Sequence, residues 1–239
     1  MDPVSTHLTP AQAWQRLQEG NARFVADRME HPAQGAEWRA AVAEDQHPHA
    51  VLFGCSDSRV AAEIIFDQGL GDMFVVRTAG HVLDTTVIGS IEYGVDVLGA
   101  PLVVVLGHDR CGAVGAATDA MLTGRMPTGF VRAVVDRVIP SLLAHGGADV
   151  DGGADVDGGL AAPTAAGELA STSAPTRDVH VADEDELRRR HVRATVEMLR
   201  DYSVSLATAV AEGRCAIVGV EYTLAEGTAN IVDRLGDIG

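Results

Sequence analysis

Cys55-Ser56-Asp57-Ser58-Arg59 and, further along, His108-Asp109-Arg110-Cys111 decide the reading of this chain. Each follows a short, continuously apolar run: Ala50-Val51-Leu52-Phe53 precedes the first, and Leu102-Val103-Val104-Val105-Leu106 precedes the second. A run of that length, closed by polar turn residues, is the pattern of a strand buried on both faces, as in parallel sheets. Both thiols and the imidazole then stand at the carboxyl ends of strands, the edge at which open α/β sheets bind ligands. The expected fold is α/β, with a mostly parallel central β-sheet flanked by helices.

Two thiolates and one imidazole form a zinc ligand set of the open kind, with a fourth place left for water or substrate. A buried free cysteine is usually a small hydrophobe, and Cys215, read as part of the last strand, fits that account. Cys55 and Cys111 differ, because polar or glycine turn residues follow each and His108 lies three residues before Cys111. The residues alone leave open a zinc site, a redox cysteine pair and inert thiols; the absence of Cys-x-x-Cys weakens the second. Two other zinc chemistries lack their motifs. A nucleotide-dependent dehydrogenase needs Gly-x-Gly-x-x-Gly, and a base deaminase needs His-x-Glu with Pro-Cys-x-x-Cys; neither occurs here. Asp57 and Arg59 could be a surface ion pair of little worth. In a turn that begins with a metal-bound thiolate, such a pair instead orients whatever takes the fourth place.

The 239 residues are enough to bury one sizeable core, and the aliphatic, aromatic-poor composition suits a single α/β domain spanning 1–239. A net charge of -16 argues against gripping nucleic acid or an anionic membrane. All 18 basic residues are arginine, so Schiff-base chemistry and a Walker-type phosphate loop are excluded. The first twenty residues show neither a basic n-region nor an apolar h-region, and no apolar run is long enough to span a bilayer, which predicts a cytoplasmic protein. Three cysteines without a signal peptide favour reduced thiols.

Thr9-Pro10-Ala11-Gln12 has the form of a capping box with proline at the first helical position, predicting an amphipathic helix over about 10–27 with Trp14, Leu17 and Phe24 on its apolar side. Strands are expected to Gly54, over 73–77, over 102–106 and, completing the sheet, over 216–222. Helices are expected over 61–66, 86–98, from Gly112, over 130–144 with Pro140 kinking or shortening it, and as one long helix over 183–212. Gly147-Ala-Asp-Val-Asp-Gly152 is repeated at 153–158, and with the Ala/Thr/Ser/Pro-rich tract after it reads as a disordered acidic insertion at about 146–177.

The pairing of Cys-x-Asp-x-Arg with His-x-x-Cys resembles the β-class carbonic anhydrases. The likeness runs from the Gln15 to Phe24 helix, with its Glu19-Gly20-Asn21 turn, to Gly219-Val220, apart from the acidic insertion. It implies that Cys55, His108 and Cys111 bind zinc, and that Asp57 with Arg59 forms the dyad beside the fourth position. The implied reaction is the reversible hydration of carbon dioxide to bicarbonate and a proton, by attack of hydroxide formed at the zinc. The resemblance also implies a homo-oligomer, dimer or tetramer, in which the N-terminal helix packs on a partner subunit and Gln46 reaches substrate across the interface.

By the same resemblance Phe74, Ala79, Ile91 and Tyr93 match the walls of the carbon dioxide pocket, and Gly112 matches a backbone contact. Read without the family, Phe74, Ile91 and Tyr93 are ordinary core residues. His81 is a candidate proton shuttle or a surface histidine without that role. Some relatives hold a regulatory bicarbonate with a tryptophan, an arginine and a tyrosine; Arg77 and Tyr222 match, but Leu52 stands at the tryptophan position and offers no N–H. In some relatives the aspartate moves onto zinc at low pH, and the same gate is expected here of Asp57. A hydrolase of carbon disulfide or carbonyl sulfide on the same site, or a non-catalytic zinc-binding regulator, are the alternatives, and an intact Asp57 and Arg59 weigh against the regulator.

Overall fold

The computed structural model describes residues 8–143 and 183–239, so the acidic repeat and the segment around it lie outside the described residues. Helix α1 (Pro10–Val25) starts on the capping box read from the sequence: Thr9 Oγ1 accepts from the Gln12 N–H, and the Gln12 side chain accepts from the Thr9 N–H. Helix α2 (Ala36–Ala41) follows, then strand β1 (Ala50–Cys55), helix α3 (Ala62–Ile65), strand β2 (Met73–Thr78) and helix α4 (Thr85–Glu92), which continues as a π-turn over Tyr93–Val97. Strand β3 (Leu102–His108) leads directly into helix α5 (Gly112–Thr123) and then α6 (Val131–Leu143). Helices α7 (Glu184–Tyr202) and α8 (Val204–Ala211) precede strands β4 (Ala216–Tyr222) and β5 (Ala229–Leu235).

The five strands lie in the order β2-β1-β3-β4-β5, parallel except for β5. β1, β3 and most of β4 are buried along their length, as continuous apolar runs require. On one face Leu52, Val104, Leu106, Val218 and Val220 pack with Trp14, Leu17, Ile65 and Phe66; on the other Val51, Phe53, Val103, Val105 and Ile217 pack with Ile91, Val192, Val196, Leu199 and Leu206. A third cluster joins Cys55 and Cys111 to Val114, Ala117, Val135, Val138, Leu142 and Leu187, so the thiols sit on an apolar floor made by α5, α6 and α7.

Four expectations change. The long helix over 183–212 is two helices, because Ser203 takes extended angles (φ -115°, ψ 105°), ends α7 and caps α8 by accepting from the Leu206 N–H. The sheet does not end at β4: β5 adds an antiparallel edge whose half-exposed sequence lacks an apolar run. Pro140 does not shorten α6 within the described residues, since the helix runs three residues past it to Leu143. Finally, Trp14 and Leu17 are buried against the sheet of their own chain, so packing of α1 on a partner would use its other residues.

Two glycines, Gly107 in β3 and Gly219 in β4, set how closely the layers approach. A Cβ at Gly107, in β3, would lie 2.4 Å from Val192 Cγ2, so α7 rests directly on the strand that carries His108. Gly107→Ala is therefore expected to push α7 away and destabilise the protein by about 1–3 kcal/mol, read as a lower denaturant midpoint with an unchanged slope.

Candidate metal centre

β1 and β3 are hydrogen-bonded neighbours with Gly54 opposite Leu106, so Cys55 and His108 leave the sheet side by side at its carboxyl edge. The chain after His108 turns sharply through Arg110, held at φ 52°, and Cys111 becomes the N-cap residue of α5. One ligand atom from each of Cys55, His108 and Cys111 lies within 4.8 Å of the others, and all three residues are buried. This is the only such group of metal-ligating side chains among the described residues.

His108 Nδ1 is 2.7 Å from the Asp109 carbonyl oxygen, which can only accept, so the hydrogen-bond network assigns the ring proton to Nδ1. Nε2 then carries a bare lone pair, and it is buried with no hydrogen-bond partner. A second partner that orients the ring and fixes its tautomer is the usual arrangement of a metal-binding histidine. The donor set fits zinc: two thiols, one correctly protonated imidazole and an unsatisfied lone pair that burial makes costly to leave alone.

The electrostatics point the same way. The Cys55 thiol is held well below the ordinary thiol range, first by its hydrogen bond with Cys111 and then, against burial, by His108 and the backbone N–H groups of Asp57 and Gly80. Cys111 is pushed up by that same bond and by burial, while the Val114 and Ala113 N–H groups at the start of α5 act in the opposite sense. Burial disfavours a charged His108 ring, but the adjoining Cys55 sulfur outweighs it, with the Asp109 carbonyl and the Asp57 charge acting in the same sense, and the group is raised. Metal ligation requires both thiolates, so a divalent cation bound here would displace whatever thiol proton the pair carries.

Asp57 and Arg59 form a two-pronged pair: Oδ1 accepts from Arg59 Nε at 2.9 Å and Oδ2 from Nη2 at 2.7 Å. Arg59 holds the Asp57 carboxyl well below the usual carboxylate range. Asp57 Oδ2 is 4.0 Å from His108 Nε2, so the carboxylate flanks the ligand cluster while both its oxygens face the guanidinium. The turn itself is pinned from below, since Arg77 donates to the Cys55 carbonyl at 3.0 Å and to the Asp57 carbonyl at 2.7 Å. That bracing was not read from the sequence, where Arg77 stood out only as a family match.

The remaining site candidates separate into two groups. Ala79 follows β2 directly and Gly112 opens α5, so both flank the cluster, and both are exposed. Phe74 stands opposite Val51, four residues along β2 from the Thr78 that pairs with Cys55, about 13 Å away along the strand. Its ring lies 6.0 Å from that of Tyr93, which is partly exposed, and Ile91 is fully buried in the core beside Val51 and Phe53. Gln46 is exposed on the amino side of β1, whereas Cys55 ends that strand. Within one chain, then, Gln46, Phe74, Ile91 and Tyr93 are not brought to the cluster. His81 is not at the surface; it is buried with neither ring nitrogen hydrogen-bonded.

A buried cluster of two thiols and one imidazole, set beside a locked carboxylate–guanidinium pair at the carboxyl edge of a parallel sheet, has the makings of an α/β metalloenzyme. Comparison with known proteins gives the family. The carbonic anhydrase family profile matches residues 50–229. Carbonic anhydrase 2 of Mycobacterium tuberculosis is 50% identical over 233 residues, 98% of each chain. The carbonic anhydrase of Mycolicibacterium smegmatis is 48% identical over 230 residues, 96% of this chain and 97% of that one. The fold is shared with a β-carbonic anhydrase of Sordaria macrospora described as tetrameric, with a TM-score of 0.61 at 18% identity over 91% of this chain and 95% of that one. The chain belongs to the carbonic anhydrase family, in its β class. Among the described residues no helix is long and apolar enough to cross a membrane.

One metal per chain is the expected stoichiometry. Cys111→Ser should lose it on dialysis against a chelator, whereas Cys215→Ser should not: that thiol is buried just before β4 and pushed up to about 12 by burial. Elemental analysis of the dialysed proteins checks both.

Proposed function

We propose that this protein is a zinc-dependent carbonic anhydrase that interconverts carbon dioxide and water with bicarbonate and a proton. The observation that carries the reading is the unpartnered Nε2 of His108, facing the two sulfurs with the Asp57–Arg59 pair alongside. Zinc, when bound, supplies Lewis acidity that brings the pKa of water toward neutrality, a general property of zinc enzymes and of carbonic anhydrases in particular. Two thiolates leave a cation less electrophilic than neutral ligands would, so activity should rise toward alkaline pH.

The chain's own contribution is orientation. Asp57 accepts the hydrogen bond of the nucleophile and keeps its lone pair aimed at the carbon; Arg59 keeps Asp57 ionised and fixed, and Arg77 holds the turn that carries both. Ala79 and the Gly112 backbone border the substrate. Gln46, Phe74 and Tyr93, distant from the cluster of their own chain, serve that of a partner subunit in a homodimer or a pair of dimers, with Ile91 supporting Tyr93 from the core. The whole described chain acts as one domain.

Stopped-flow hydration of carbon dioxide by the zinc-loaded protein tests the reading; no turnover above the buffer rate would reject it. Asp57→Asn should keep its zinc and lose about 100-fold or more in kcat. Because Arg59 depresses the Asp57 carboxyl, that group stays charged through the usual carboxylate range and releases the pair only below it. The wild-type pH profile should therefore show no acid limb near pH 4 from protonation of Asp57. Sedimentation at assay concentration should show a dimer or larger species, and a fully active monomer would refute the shared site.

A further inference from the structure

Behind Cys55 lies a chain of contacts that neither the ligands nor the Asp57–Arg59 pair requires. Gly80 donates its N–H to Cys55 Sγ at 3.3 Å. It does so from a left-handed conformation (φ 64°, ψ 22°), and a Cβ there would meet Ala113 Cβ at 2.5 Å, so the turn is squeezed between β1 and α5. His81, next in the chain, is also left-handed (φ 41°). Glycine takes that region freely, but a histidine there is costly, so the turn persists only where something holds the two residues.

What holds them is on α7. His191 Nε2 is 2.7 Å from the Gly80 carbonyl oxygen, and Nδ1 is 2.6 Å from Ser141 Oγ of α6. The carbonyl only accepts, which assigns the ring proton to Nε2. Burial lowers the pKa of His191 and disfavours a second proton, so Nδ1 is left as an acceptor, and the one Ser141 hydroxyl proton lies between it at 2.6 Å and the Val138 carbonyl at 2.6 Å. The His81 ring stacks on His191 with centroids 4.1 Å apart and closes the other side. His191 is 1% exposed and its ring is fully satisfied, whereas an apolar residue would fill that space without a polar partner.

We propose that His191 is a positioning residue for the metal centre, holding Gly80 so that its N–H stays bonded to the Cys55 sulfur. The proposal rests on the metal reading above. An N–H bonded to a ligating thiolate withdraws charge from the sulfur and fixes its lone pair, so losing it alters both the affinity of the site and the electronic character of the sulfur. Ser141, which touches the other ring nitrogen, sits one contact further out.

The test uses the full chain loaded with zinc or cobalt(II), with zinc affinity measured by chelator competition and the sulfur-to-cobalt charge-transfer band by absorption. His191→Leu, which lacks the donor, should bind zinc about 10- to 100-fold more weakly and move the cobalt band to longer wavelength. His191→Gln places an amide N–H where Nε2 stood and should recover most of both; His191→Asn places it where Nδ1 stood and should not. A folded His191→Leu protein with the wild-type cobalt band and zinc affinity would overturn the proposal. Should that variant fail to fold, the Gln and Asn variants decide, and equal affinities and spectra for the two would overturn it. If wild-type protein itself binds no zinc, the metal reading fails instead.

Discussion

The dependence of this structure on one constraint is plain at the carboxyl edge of β1 and β3: two sulfurs and an imidazole lone pair are buried within 4.8 Å of each other. Such a group is stable only if negative charge is drawn off, by a cation or by N–H donors. The surroundings supply donors wherever backbone can reach. Asp57 and Gly80 face Cys55, the first N–H groups of α5 face Cys111, and the Asp109 carbonyl fixes the imidazole. A helix N-terminus suits a thiolate because its leading N–H groups have no intrahelical acceptor. Ala113 at that terminus comes so close that a Cβ at residue 80 would lie 2.5 Å from its own, so glycine is required there.

The same constraint explains why so many arginines gather around a short turn. Arg59 occupies both oxygens of Asp57, and Arg77 takes the carbonyls on either side of Ser56. In water such pairs are worth little. Here they act geometrically: Arg59 turns both carboxylate oxygens toward itself, and Arg77 braces the backbone that carries them beside the ligands. The chain contains no lysine, and the planar fork of arginine suits this task better than a point charge would.

How much of this was legible beforehand follows from range. The ligands, the dyad and the strands they end on could be read from the sequence, because each is a short apolar run followed by residues whose chemistry is distinctive. The cap of α1 was equally local. β5 was missed because an edge strand needs no apolar run, and the break at Ser203 because the residues on both sides keep helical periodicity while Ser203 bonds to Glu92, far away in sequence. His191 and Ser141 carry no local signal; an isolated histidine on an apolar helix stripe looks like any other core histidine until Gly80 is seen to face it. Phe74, Ile91 and Tyr93 looked like core, and within a single chain Ile91 is core.

The strand order shows why these distant parts meet. From β1 the chain moves to β2 on one side and then crosses to β3 on the other, so the connections leave the sheet in opposite directions at β1 and β3. A crevice opens outside the carboxyl ends of strands where connections diverge in this way, and it is the usual place for a ligand in a parallel sheet. Cys55 stands on one lip of that crevice, and His108 with Cys111 on the other. The end of β2 then delivers Gly80 from the far side of β1. α7 reaches the same point because Gly107 and Gly219, on β3 and β4, let Val192 settle against the sheet and bring His191 over residue 80. Three adjacent parallel strands thus contribute two sets of ligands and one sulfur donor, and the helix laid across them fixes the donor. The site is assembled by the topology of the sheet, and the motifs supply only the atoms it brings together.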